Sequence, residues 1–104
     1  MTIDTNLQEF VRRIEELISV ANKKRQEVVS AGGGEWLVKS YDTLIENLVD
    51  LRSTASADKL PRPSRGETRP GAGLGLSRAV GEWCEDDELL DRVRSVEDYF
   101  RHTL

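Results

Sequence analysis

Three consecutive glycines, Gly32-Gly33-Gly34, divide two long stretches whose apolar residues recur with the period of an α-helix. This pattern constrains the fold of the chain more than any other feature. In the first stretch the apolar positions are Leu7, Phe10, Val11, Ile14, Leu17, Ile18, Ala21, Val28 and Val29, all on one helical face. In the second they are Trp36, Leu37, Tyr41, Leu44, Ile45, Leu48, Val49 and Leu51. The spacing predicts a helix over 5–30 and another over 35–52. Thr5-Asn6-Leu7-Gln8 has the Thr-x-x-Gln form of a capping box and places the first start near Asn6. Glycine ends helices cheaply, so the two helices fold back as an antiparallel hairpin. Lys23, Lys24 and Arg25 interrupt the first stripe, although their alkyl stems can still cover apolar surface.

The remainder of the chain changes character. Residues 53–73 hold all three prolines, Pro61, Pro63 and Pro70, and several small polar residues. Proline removes an amide donor and fixes φ, so an extended, mobile, basic linker is expected there. Helical periodicity returns at Leu74, Leu76, Ala79, Val80 and Trp83, and again at Leu89, Leu90, Val93, Val96, Tyr99 and Phe100. These predict C-terminal helices over 74–84 and 86–102. The expected fold is therefore all-α, a three- or four-helix bundle in a single domain built on the hairpin. The first helix would run ~37 Å at the α-helical rise. The C-terminal helices look too short to cover it, which suggests completion by a second copy in a homodimer. The two tryptophans, Trp36 and Trp83, are expected in the core. If either were exposed, a protein interface would be the first inference.

Charge narrows the partners. The net charge is −4 over 104 residues. Nucleic acid is therefore disfavoured as a partner, because phosphate contacts need clustered cations. The charge is also uneven. Residues 53–78 hold five basic residues against two acidic ones, whereas residues 79–104 hold eight acidic against three arginines. Arg62, Arg65, Arg69 and Arg78 form a spaced basic set, and Glu85-Asp86-Asp87-Glu88 an acidic run at a helix start. Both are candidate partner contacts, and they can also pair with each other. No stretch reaches the ~18 apolar residues of a membrane span, and no basic segment followed by an apolar run opens the chain. A lone Cys84 fits a reducing compartment, so a cytoplasmic location is expected.

Few residues offer chemistry. His102, with Asp98 one turn before it, lacks the further ligands a zinc site needs, and no metal or other cofactor is expected. Cys84 sits beside acids that disfavour its thiolate, which makes it a packing residue rather than a nucleophile. No Ser-His-Asp or Cys-His arrangement can be argued, so a non-enzymatic interaction or regulatory module is the leading reading.

The alternative rests on Gly71-Ala72-Gly73-Leu74-Gly75-Leu76-Ser77. This segment resembles the glycine-rich box in the ATP lid of sensor histidine kinases. The resemblance implies a phosphate-bearing ligand, a nucleotide, held by backbone amides near Gly71, Gly73, Gly75 and Ser77. It covers seven of 104 residues. The Asp-x-Gly-x-Gly motif and the asparagine-rich box of that family are absent, and the chain is shorter than its α/β sandwich. The competing reading is that the glycines end the linker before a helix.

Overall fold

The computed structural model describes residues 4–69 and 73–104 and is an all-α bundle built on a long helical hairpin. Helix α1 spans Thr5–Ser30, α2 Glu35–Ser56, α3 Leu76–Gly81 and α4 Asp87–His102, with a 3₁₀ turn at Pro63–Arg65 between α2 and α3. No helix among the described residues is long and apolar enough to cross a membrane.

Helix α1 is the central element, with α2 packed along one side and α4 along another. Its buried residues are Phe10, Ile14, Leu17 and Ala21. Those of α4 are Leu89, Val93, Val96 and Phe100, together with Glu97. Both apolar sets repeat at steps of four, three and four, the rhythm of long side chains interlocking between nearly antiparallel helices. The register is fixed at both ends. Phe10 stacks on Tyr99 at 6.3 Å between ring centroids and meets Phe100 at a 46° tilt with centroids 6.0 Å apart. The Tyr99 hydroxyl donates to the Asn6 carbonyl at 3.2 Å. Some twenty residues along α1, the Lys24 ammonium donates to Asp86 at 2.8 Å.

Each terminus of the hairpin has its own physical cause. The side chain of Asp4, not the expected Thr5–Gln8 box, caps α1 by accepting the Leu7 amide at 3.0 Å. At the other end the Gly33 amide reaches back to the Val28 carbonyl at 2.8 Å and the Gly32 amide to Val29 at 3.1 Å. This paired closure requires a left-handed residue, supplied by Gly32 at φ +73°. Gly33 is needed for a different reason: a Cβ there would lie 2.3 Å from Val28 Cγ1 and 2.9 Å from the Val28 carbonyl oxygen.

Several boundaries differ from the sequence expectation. Helix α2 runs one turn past Arg52 to Ser56. Ala55 is the cause, since it falls seven residues after Leu48 and is fully buried in the same stripe. Helix α3 is shorter than 74–84, beginning after Gly75, whose φ is +76°. Asp86 caps α4 rather than belonging to it, accepting the Leu89 amide at 3.0 Å. Residues 57–69 do not form a free linker. Arg62 is 5% exposed. Its guanidinium pairs with Asp4 and donates to the Leu104 carbonyl at 3.4 Å. The Ser64 hydroxyl donates to the same carbonyl at 2.5 Å, and the Leu104 side chain is buried. Three distant parts of the sequence are thus tied together beside the start of α1.

Candidate functional site

Helix α1 has 26 residues and α4 has 16. Because Lys24 is held by Asp86 and by Glu88 at 3.3 Å, α4 starts beside Lys24. The last turns of α1 and the first turns of α2 therefore project beyond it. The segment entering α4 partly fills this space. Trp83 packs edge-on against Tyr41 with ring centroids 4.9 Å apart, and Cys84 is buried.

A groove remains open. It is lined by the apolar Val28, Leu37, Tyr41, Trp83 and Cys84, of which Tyr41 and Cys84 are buried at its floor, together with Gly34, the exposed Trp36 and the acidic Glu85 and Asp86. Its volume is about 640 Å³. Trp36 is 67% exposed, contrary to the expectation that it is core, and Val29 nearby is exposed too. Burial pushes the Cys84 thiol and the Tyr41 hydroxyl up from their ordinary values. Both are neutral near pH 7, so the floor carries no charge. Cys84 Sγ also accepts the Asp86 amide at 3.4 Å, which ties the residue into the turn as packing.

The acidic run has divided roles. Asp86 caps α4 and pairs with Lys24, and these interactions hold its carboxyl below the usual range. Glu88 pairs with Lys24 and Arg92. Glu85 and Asp87 are exposed, and among the described residues neither forms an ion pair. The basic set does not converge on this run. Arg62 and Arg65 lie about 30 Å away along α1, at its start. Arg65 is 3.8 Å from Asp4 and 3.3 Å from Asp58. Arg69 and Arg78 are exposed on other elements.

The glycine-rich segment is organised around an internal carboxylate. Glu97 of α4 is 2% exposed. Its Oε2 accepts the Leu74 amide at 2.9 Å and its Oε1 the Ser77 amide at 3.0 Å. It thereby satisfies backbone donors at the start of α3, where no local side chain caps the helix. A Cβ on Gly73 would lie 2.5 Å from Glu97 Oε2 and 2.6 Å from Arg101 Nη2, so any side chain there would have to shift both. Gly75 supplies the left-handed turn, and Gly71 lies outside the described residues. An external phosphate at these amides would have to displace Glu97.

Sequence reasoning missed Glu97 and misplaced Trp36. The available signal for Trp36 was its position two residues after Gly34, at the far end of a hairpin longer than any helix left to cover it. No family model matches this chain, and no curated protein or solved structure matches it.

Proposed function

We propose that the protein is a non-enzymatic interaction module that docks another protein chain at the tip of its helical hairpin. The observation that carries this reading is the 67% exposure of Trp36 beside an open apolar groove. Exposed indole next to an apolar, water-accessible concavity is costly in a monomer and typical of the anchors that dominate protein interfaces. The groove's two titratable floor groups are held neutral, and Asp86 at its edge is engaged as the α4 cap and by Lys24, which supports recognition over chemistry. A homodimer that completes the uncovered stripe is one form this docking takes; a different chain is the other. A cytoplasmic setting suits a lone reduced cysteine.

The test is affinity capture of the tagged protein from nuclease-treated native lysate, compared between wild type and Trp36→Ala. The reading expects a stoichiometric partner that the variant loses while its melting temperature stays that of wild type. Recovery of the same partner by both proteins, or of none by either, would overturn it.

A further inference from the structure

The groove carries a charge pattern that specifies its occupant. Glu85 and Asp86 line it. Glu82 and Asp87 flank them in the chain, both exposed and, among the described residues, without an ion pair. Elsewhere near the hairpin tip, Glu35 pairs with Lys39 at 3.2 Å, and Arg25 with Asp42 at 2.5 Å. Lys24 is already engaged by two carboxylates. Of the cations near the tip, Lys24, Arg25 and Lys39 are paired and Lys23, among the described residues, is not, while the groove itself is lined by two acids and no cation, so the excess charge at its edge is negative.

On the reading that this tip is a docking surface, we infer that its occupant is an amphipathic, cationic segment of a different protein. Such a segment buries apolar residues against Val28, Leu37, Tyr41 and Trp83, and sets Lys or Arg against Glu82, Glu85 and Asp87. Charge complementarity of this kind selects partners more than it adds affinity. It also disfavours the tip of a second copy. A two-fold contact places the same patch against itself, so the acidic rims of both copies would meet.

The experiment uses two synthetic, tryptophan-free helical peptides about 14 residues long, four turns of helix. They share one leucine face, and their flanks are lysine in one and glutamate in the other. Binding is read from the fluorescence of Trp36 and Trp83. The lysine peptide is expected to bind, with affinity falling as salt rises. Glu82→Lys combined with Glu85→Lys should weaken it about tenfold or more, since like charges then face each other. Both positions are exposed, and an unchanged melting temperature verifies the fold. The inference is overturned if the glutamate peptide binds as well, if the double variant changes nothing, or if neither peptide binds. A dimer in sedimentation that Trp36→Ala dissolves would assign the groove to a second copy and overturn it too. The peptide results do not bear on whether a Trp36-dependent partner exists, which the capture experiment decides separately; a Trp36-dependent dimer would overturn this inference while supporting the docking reading.

Discussion

Glu97 caps a helix to which it does not belong: its carboxylate, 20 residues downstream of Ser77, accepts that residue's amide at 3.0 Å. Its other oxygen takes the Leu74 amide, so one buried side chain organises the entire turn into α3. A glycine-rich segment that looks built to receive an anion has received one from its own chain.

Removing that carboxylate should therefore cost stability. Glu97→Ala leaves two backbone donors without their acceptor in a nearly dry site, a loss of about 1–3 kcal/mol. Glu97→Gln retains one acceptor oxygen and should lose less. Urea denaturation of both variants checks the order. Equal stability of Glu97→Ala and wild type would show that Glu97 does not organise this turn.

The hairpin turn should separate its three glycines. Gly32→Ala forces an L-residue to φ +73° and is expected to cost about 1 kcal/mol. Gly33→Ala should cost more, because its methyl would strike Val28 rather than open space. Gly34→Ala meets nothing within 4 Å and should be tolerated within about 0.5 kcal/mol. Thermal melts of the three variants would test this ranking, which a merely flexible linker would not produce.

The two tryptophans should behave oppositely. Trp36→Ala should leave the melting temperature unchanged, because the indole is mostly in water. Trp83→Ala removes the partly buried, edge-on partner of Tyr41 and should destabilise by about 1–3 kcal/mol, less than a fully buried core replacement. Acrylamide should quench the fluorescence that remains in Trp83→Ala far more than that in Trp36→Ala.

Acid should loosen the bundle at two places. The Arg62 guanidinium and the Leu7 amide hold the Asp4 carboxyl below its ordinary value, and the Lys24 ammonium and the Leu89 amide do the same for Asp86. A depressed folded-state value means that the unfolded chain binds protons first as pH falls. The stabilisation is full above the ordinary carboxylate range and is lost on acidification below about pH 4. Asp4→Asn with Asp86→Asn should be less stable than wild type at pH 7 and should lose less on going to pH 3. Parallel pH dependences in the two proteins would rule this linkage out.

The long helices were legible from the sequence because amphipathic periodicity is a local property. Phe10, Ile14, Leu17 and Ala21 share a face whatever they pack against, and Gly32 and Gly33 end the helix through bonds to residues three and five positions back. The small polar run after Arg52 was misread because its composition hid Ala55, an apolar residue in register with Leu48. The prolines at 61 and 63 correctly excluded a long helix there, but said nothing of the buried pairing between Arg62 and Asp4, which joins residues 58 positions apart. The same holds for Glu97 at the glycine-rich turn and for Lys24 between Asp86 and Glu88. By itself, the sequence determined which segments are helical and which face of each is apolar. Only the tertiary structure decided that α4 starts beside Lys24 and that Trp36 is left in water, because exposure depends on where other segments begin and end in space, and no local pattern encodes that.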